Sequence, residues 1–179
     1  MGVIVSNIYL IGPRACGKTT VGKLLAGYLK CDFYDSDAVL VERAGCDIAE
    51  YVARNGWDGF RDLEVAVLAD LSGVENAVIS CGGGIVVRDE NFAVLRNGFT
   101  VYIKADVEVL AARLEADPAH GQRPSLTGKP LVEEIRDVLE AREDLYKGCA
   151  SFIADGAAPV ETVCEQILTS YRSFELEEK

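Results

Sequence analysis

The chain has 179 residues, of which 49% are hydrophobic and 26% charged, and its formal net charge is −11 at pH 7. That length suits a single domain with its own core, spanning 1–179, and no apolar run approaches the roughly 20 residues of a membrane span. The negative charge argues against nucleic acids and anionic membranes as partners, because both would be repelled. We therefore expect one soluble domain that meets any anionic substrate through a local basic cluster.

Strand and helix patterns alternate from the start of the chain. Residues 7–11 form a short apolar run, and residues 18–29 carry apolar side chains at helical spacing, which predicts a strand followed by a helix. Residues 32–34 indicate a second short strand. The spacing of Asp47 and Glu50 is that of a capping box, so another helix is expected to begin there and to end near Gly56.

The same alternation continues through the middle of the chain. A longer helix is expected to place apolar residues from Phe60 to Leu71 on one face. Residues 77–80 and 100–103 have the composition of buried strands. Each is followed by a turn signal and a helical pattern, opened by Asp89 after the first strand and by Asp106 after the second.

The segment 117–130, DPAHGQRPSLTGKP, interrupts the periodic pattern. It holds three prolines and two glycines, so we expect an exposed functional loop and interpret it as a mobile lid. Residues 131–146 predict a charged amphipathic helix and residues 151–154 a last strand. Residues 160–171 predict a last helix before an acidic tail that we expect to fray.

Strands that alternate with helices in this way favour an α/β fold. Right-handed crossovers place the five predicted strands in one mostly parallel sheet with helices on both faces. The expected architecture is therefore a three-layer α/β/α domain with a five-stranded parallel sheet and a mobile lid.

A phosphate-binding loop is the most specific motif in the sequence. Residues 12–19, GPRACGKT, match G-x-x-x-x-G-K-[ST] after a strand and at the start of a helix, where the mechanism requires them. Backbone N–H groups of such a loop point at phosphate oxygens, Lys18 reaches the terminal phosphates, and Thr19 ligates Mg²⁺. The residues expected at the nucleotide are Gly12, Ala15, Cys16, Gly17, Lys18, Thr19 and Thr20.

The loop alone does not separate kinases from GTPases or ATPase motors. The sequence has no Asn-Lys-x-Asp motif for reading guanine, and a single domain of this size leaves a motor little to move. A small-molecule kinase fits better.

Two further patterns follow predicted strands. Asp35 and Asp37 lie where open α/β sheets place ligands, and two carboxylates there can serve a metal ion and a hydroxyl group. An Asx-turn that caps the next helix is the alternative. Gly82, Gly83 and Gly84 allow close approach of the backbone to a ligand, and a flexible turn is the alternative.

The cysteines point to a reducing compartment. All six are scattered without a C-x-x-C pair, and His120 is the only histidine, so no zinc site is predicted. The N-terminal apolar stretch lacks the flanks of a signal peptide, so we expect a cytoplasmic protein with free thiols. Cys16 and Cys81 lie next to the predicted site, where oxidation of a thiol would inhibit an enzyme.

In their order and spacing these motifs resemble those of the shikimate kinase family from about residue 8 to residue 171. The segment GPRACGKTT at residues 12–20 resembles the phosphate loop of the second bacterial isoform of that family. The residues that carry the resemblance are the acidic pair, Gly59-Phe60-Arg61 with Glu64, the glycine triplet, Arg123-Pro124 with Leu126 and Gly128, and Ala141-Arg142 with Leu145-Tyr146. The family has a P-loop fold of the nucleoside monophosphate kinase type, which the resemblance implies for this chain.

The resemblance also implies an activity, namely ATP- and Mg²⁺-dependent phosphorylation of the 3-hydroxyl of shikimate in chorismate and aromatic amino acid biosynthesis. By the same resemblance Asp35 lies near Mg²⁺, while Asp37 binds the acceptor diol and is the candidate base. The glycine triplet lines the acceptor site, where Gly83 donates its N–H to shikimate.

Arginines complete the site that the resemblance implies. Arg61 and Arg142 would bind the shikimate carboxylate through paired hydrogen bonds, with Glu64 orienting Arg61, although a lone arginine more often belongs to a solvated face. Arg123 in the lid would neutralise charge on the transferring phosphoryl group.

Two further expectations concern the base of the nucleotide. Arg113 resembles the family position that packs on adenine, and Pro159 lies near where the chain should pass the base. An exposed arginine would look the same in sequence.

One departure and two rival functions remain. Many family members have glycine where this chain has Ala15, and a required positive φ would cost on the order of 1 kcal/mol there. The rivals are a kinase of another small carboxylate or nucleotide, such as gluconate or a nucleoside monophosphate, and a non-catalytic ligand-sensing module. The sequence shows no assembly element, so we expect a monomer.

Overall fold

Five parallel strands form the central sheet. The structure is a computed structural model that describes residues 6–116 and 125–177. The strands are β1 (Ile8–Ile11), β2 (Asp32–Asp35), β3 (Ala77–Ser80), β4 (Phe99–Lys104) and β5 (Phe152–Asp155). The helices are α1 (Lys18–Leu29), α2 (Ser36–Ala44), α3 (Ile48–Ser72), α4 (Glu90–Arg96), α5 (Val107–Glu115), α6 (Leu131–Cys149) and α7 (Val160–Glu177).

The strand order places the predicted motifs at one edge. The strands lie in the order β2-β3-β1-β4-β5. The chain leaves β1 toward β2 on one side and leaves β3 toward β4 on the other. Because these connections diverge, the carboxyl ends of β1 and β3 border a crevice of the kind in which open α/β sheets bind ligands. The phosphate loop after β1, the acidic pair after β2 and the glycine triplet after β3 therefore share one edge.

Both faces of the sheet are covered, as alternation along β1 shows. Ile8 and Leu10 lie in a core with residues of α1 and α7, whereas Tyr9 and Ile11 lie in a second core with residues of α3 and α6. The predicted three-layer α/β/α fold is confirmed.

Helix α3 turns at the residue where the sequence predicts an end. Asp47 caps its start, since its Oδ1 accepts a hydrogen bond from the Glu50 N–H at 2.7 Å. Gly56 then has φ +73° and ψ 174°, which no helix contains. The helix continues beyond this kink. Its axis therefore changes direction between the turns before Gly56 and the turns that carry Phe60 to Leu71.

Two elements differ from the sequence prediction. Helix α2 was considered only as the helix that an Asx-turn would cap; it begins directly after Asp35, which caps it. Helix α7 continues to Glu177, so the expectation of a frayed tail after 171 is wrong for the described residues. The reason is that Phe174 is still in contact with the core, with its ring centroid 5.2 Å from that of Phe99.

Within the part of the chain that the structure describes, no helix combines the length and apolar character needed to cross a membrane.

Candidate active site

The loop between β1 and α1 curls around the N-terminus of α1. Gly12 and Gly17 have φ angles of +141° and +106°, which side chains rarely adopt, and a Cβ on Gly12 would lie 2.6 Å from the carbonyl oxygen of Ile103. The Lys18 ammonium donates to the carbonyl oxygens of Gly12 at 2.9 Å and Pro13 at 2.8 Å. A fixed ammonium beside a helix N-terminus is suited to bind phosphate.

Ala15 occupies a left-handed conformation within this loop. Its φ is +64°, so the position does require the angle that glycine tolerates best. Alanine there costs about 1 kcal/mol, because its Cβ approaches the following carbonyl oxygen.

Replacing Ala15 with glycine should therefore stabilise the protein. We expect the free energy of unfolding to rise by up to about 0.5 kcal/mol in urea denaturation, since relief of about 1 kcal/mol of strain at φ is partly offset by the entropy that glycine adds to the unfolded chain. The matched control is Ala66→Gly on an exposed turn of α3, which should lower the free energy of unfolding by about 1 kcal/mol. Equal destabilisation by both substitutions would contradict this account of Ala15.

Thr19 and Asp35 bring two oxygen-bearing side chains together. Thr19 Oγ1 donates to Asp35 Oδ2 at 2.9 Å, while Asp35 Oδ1 accepts from the Asp37 N–H at 3.1 Å. The capping alternative therefore holds for Asp35 without removing it from the site. A hydroxyl and a carboxylate are hard donors that suit Mg²⁺, which needs few protein ligands when phosphates supply the rest. These residues fit the predicted metal.

A cavity of about 650 Å³ opens over the phosphate loop. Arg113 closes one side of it, donating to the carbonyl oxygens of Ala15 and Cys16 at 3.3 Å each and of Gly156 at 2.8 Å. Arg113 thus ties the phosphate loop to the segment after β5, a role that the sequence did not suggest. Its proposed packing on adenine stays a prediction.

The expected contact of Pro159 with the base also stays a prediction. Pro159 is exposed, and the lining of the cavity includes Ala158 and Val160 on either side of it.

A second cavity, of about 130 Å³, lies beside the first. Asp37, Arg61 and Arg142 line it from three separate segments, and Arg14, Glu64 and Glu134 are further charged groups of its lining. Apolar side chains from α3, α5 and α6 supply much of the remaining wall. This combination suits a small ring that carries hydroxyls and an acid group. Sequence reasoning brought Asp37, Arg61 and Arg142 to one acceptor site, and the structure places them at one cavity.

Arg61 is held tightly on the wall of this acceptor cavity. It is 8% exposed, and its guanidinium pairs with the Glu64 carboxylate as the sequence predicted. The rings of Trp57 and Phe60 lie beneath it, with centroids 5.5 Å and 5.2 Å from Cζ. Burial raises the pKa of the Glu64 carboxyl, and Arg61 opposes that shift. The guanidinium is therefore preorganised for an acidic ligand.

The glycine triplet is tightly packed and hydrogen-bonded. A Cβ on Gly82 would meet Asp37 Oδ1 at 2.6 Å, and one on Gly84 would overlap the Arg61 guanidinium well inside 3.0 Å. The Gly82 N–H donates to Ser36 Oγ at 2.9 Å. Two of the three glycines are thus needed because charged side chains press against the backbone, which argues against the flexible-turn alternative.

Alanine substitutions at Gly84 and Gly83 should show whether close packing against charged side chains is the reason for glycine in the triplet. We expect Gly84→Ala to lower the free energy of unfolding by about 1–3 kcal/mol, because the Arg61 guanidinium must move from its buried pair. Gly83→Ala is the matched control, since a Cβ there meets only ordinary contacts at 3.5 Å and beyond. Urea denaturation of both variants provides the comparison, and similar losses would show that close packing on Arg61 is not the reason for Gly84.

Arg142 and Tyr146 from α6 converge on the carbonyl oxygen of Gly83. Arg142 Nη1 donates to it at 3.1 Å and the Tyr146 hydroxyl at 2.5 Å. Burial raises the pKa of Tyr146 to about 12, so the hydroxyl stays protonated as a donor at neutral pH. The two bonds fix both the triplet and the face that Arg142 presents to the acceptor cavity.

Sequence reasoning missed three residues of this site. Arg14, Tyr146 and Glu134 line or support the cavities, but no role was assigned to them. The signal for Arg14 was its place inside the phosphate loop, and that for Tyr146 its place one helical turn after Arg142. Arg123 and lid residues 117–124 lie outside the described residues, so their assignment stays a prediction.

The two cysteines near the site are both enclosed. Cys16 and Cys81 are each 1% exposed. Burial raises the pKa of the Cys81 thiol, which keeps it in its less reactive protonated form.

Comparison with known proteins gives a consistent result. The family model described as shikimate kinase matches residues 14–172. A shikimate kinase from Nitratidesulfovibrio vulgaris is 51% identical over 93% of this chain and 96% of its own length. Shikimate kinase 2 from Yersinia enterocolitica is 42% identical over 92% of this chain and 95% of its own length.

Comparison with solved structures also finds shikimate kinases. Shikimate kinase from Acinetobacter baumannii, in complex with shikimate, superposes with a TM-score of 0.88 at 32% identity, covering 96% of this chain and 95% of that one. A gluconokinase from Sinorhizobium meliloti has a TM-score of 0.65 at 18% identity, covering 97% of this chain and 95% of its own. The second likeness shows a common fold alone.

Proposed function

Because the chain belongs to the shikimate kinase family, we propose that it transfers the terminal phosphoryl group of ATP to the 3-hydroxyl of shikimate, giving shikimate 3-phosphate and ADP. This reaction is a step of chorismate and aromatic amino acid biosynthesis. The single observation that supports it best is that Arg14, Asp37 and Gly83 line both cavities. An acceptor hydroxyl held at Asp37 would therefore face the phosphates.

The acceptor side provides positioning. Arg61 and Arg142 would bind the carboxylate of shikimate, which would orient the ring against the apolar wall. The 3-hydroxyl oxygen would then attack the γ-phosphorus while the bond from that phosphorus to the ADP oxygen breaks, and Asp37 would accept the hydroxyl proton. The N–H of Gly83 remains our proposed donor to shikimate.

The nucleotide side provides charge. Lys18 and the loop N–H groups would contact the phosphates, and Thr19 with Asp35 would hold Mg²⁺. A bound Mg²⁺ would neutralise charge on the β- and γ-phosphates. Arg123 as a further transition-state cation, Arg113 at adenine and Pro159 near the base complete the proposal from the sequence.

Three broader proposals go with this function. The residues proposed to bind both substrates come from one chain, so a monomer suffices. The protein would act in the cytoplasm, in keeping with its free thiols. We propose no role for nucleic acid or membrane, given the net charge of −11.

An ADP-release assay across possible acceptors tests the activity. Shikimate, quinate, gluconate and nucleoside monophosphates would each be supplied with Mg-ATP, and we expect rapid release with shikimate. Faster release with gluconate or a nucleotide would favour the rival kinases. Binding of shikimate without release of ADP would favour a ligand-sensing module.

A further inference from the structure

One carboxylate oxygen holds the loop that precedes α6. Glu134 Oε2 accepts hydrogen bonds from the Ser125 hydroxyl, the Leu126 N–H at 3.1 Å, and the Thr127 N–H and hydroxyl at 3.0 Å each. Four donors on a single atom, from three consecutive residues, form a specific anchor for residues 125–129, which we call the anchored loop.

The anchored loop also has internal bonds. The Gly128 N–H donates to Ser125 Oγ at 2.8 Å, and Gly128 has φ +72°, which turns the chain back toward α6. The Lys129 N–H donates to Thr127 Oγ1 at 3.3 Å. The loop is therefore a defined turn, whose hydroxyls both receive and donate hydrogen bonds.

This turn determines where one apolar side chain lies. Leu126 lines the acceptor cavity together with Leu131, Ile135 and Glu134 itself. Leu126 is nevertheless 37% exposed, so apolar burial alone does not fix its position. The polar bonds to Glu134 are what hold its backbone.

We propose that Glu134 is a positioning residue for the acceptor. Glu134 fixes Leu126 in the cavity wall, and the ring of shikimate packs against that wall. The inference rests on the proposed function, since it assigns that cavity to shikimate. Its basis is independent, namely the contacts between Glu134 and the anchored loop.

The ionised state of Glu134 suits this role. Burial by itself would raise the pKa of the carboxyl, but the hydrogen bonds from Ser125, Thr127 and Leu126 outweigh burial and lower the pKa. The carboxylate therefore remains the stronger, charged acceptor throughout the neutral range.

The test compares Glu134→Ala with Glu133→Ala. Both residues lie in the first turn of α6, so either substitution removes one negative charge from the helix N-terminus, but Glu133 is exposed and has no bond to the loop among the described contacts. The dissociation constant of shikimate can be followed through Trp57, the only tryptophan, which lines the acceptor cavity. We expect about tenfold weaker binding in Glu134→Ala and less than about twofold change in Glu133→Ala. Glu134→Gln, which keeps an accepting oxygen, should restore part of the loss.

A second measurement does not depend on substrate. Amide hydrogen exchange at Leu126 and Thr127 should speed up in Glu134→Ala, because both N–H groups lose their acceptor, and should not change in Glu133→Ala. Unchanged exchange at these amides in Glu134→Ala would overturn the inference. So would faster exchange with unaltered shikimate affinity, or an equal loss of affinity in both variants.

Failure of the proposed function looks different. If the wild-type protein neither binds nor phosphorylates shikimate, the proposed function fails and the inference fails with it. If the wild type binds shikimate without phosphorylating it, only the proposed activity fails, and the binding comparison still tests the inference. If wild type is active and Glu134→Ala binds shikimate as well as wild type, only the inference fails.

Discussion

Lys18→Ala is expected to lower kcat by about 1000-fold while changing the dissociation constant of shikimate by less than about threefold. The ammonium lies over the phosphate loop and lines the phosphate cavity, but it is not among the residues that line the acceptor cavity. The Lys18 ammonium would stabilise the negative charge on the transferring phosphoryl group and would not contact the shikimate ring. Steady-state kinetics and a Trp57 fluorescence titration measure the two quantities.

Lys23→Ala is the matched control for this result. Lys23 belongs to the same helix α1, is exposed, and contacts the ring of Phe33 away from both cavities. We expect its kcat to stay within about twofold of wild type. A Lys18→Ala variant that lost shikimate binding but kept its turnover would contradict the division between the two sites.

Arg142→Ala is expected to weaken shikimate binding by about 100-fold. Charge-assisted hydrogen bonds from a guanidinium to a carboxylate contribute about 1.5–3 kcal/mol, and tenfold in affinity corresponds to about 1.4 kcal/mol. Tyr146 would still hold the Gly83 carbonyl in this variant, so the glycine triplet should keep its position. The loss should therefore appear in the ground-state dissociation constant of shikimate.

The control for Arg142 comes from the same helix. Arg136 is an exposed arginine of α6 that does not line the acceptor cavity, and Arg136→Ala should bind shikimate as wild type does. Arg61→Ala is a less clean test, because it would leave the buried carboxylate of Glu64 without its partner and would destabilise the fold as well. If Arg142→Ala reduced only kcat, the proposed carboxylate contact would be wrong.

Local sequence patterns predicted the phosphate loop and the position of the site at the carboxyl ends of the strands. The phosphate loop matches a motif whose residues each have a physical reason, and parallel strands end at the same edge, so the motifs after β1, β2 and β3 had to come together. Asp37, Arg61 and Arg142 could be assigned to one acceptor only through the family resemblance, because no local pattern relates residues so far apart in sequence.

Other features depend on contacts that the sequence does not encode locally. The close approach of Arg61 to Gly84 follows from how α3 packs beside the turn that follows β3. The hydrogen bonds of Arg113 to Ala15 and Cys16 join residues 98 and 97 positions apart. The full length of α7 depends on Phe174 reaching Phe99, which only tertiary packing reveals. The prolines and glycines of residues 117–130 predicted a loop there, whereas the hydrogen bonds of residues 125–127 to Glu134 depend on how the loop folds back on α6.

The central claim is that this site transfers phosphate from ATP to the 3-hydroxyl of shikimate, and the most direct test is phosphorus NMR of the product. The protein would be incubated with Mg-ATP and shikimate, and coupling between phosphorus and the ring protons would identify the esterified carbon. We expect one new phosphate monoester, coupled to the proton on C3, to appear in step with ADP. Inorganic phosphate with unmodified shikimate, or an ester at another hydroxyl, would contradict the account.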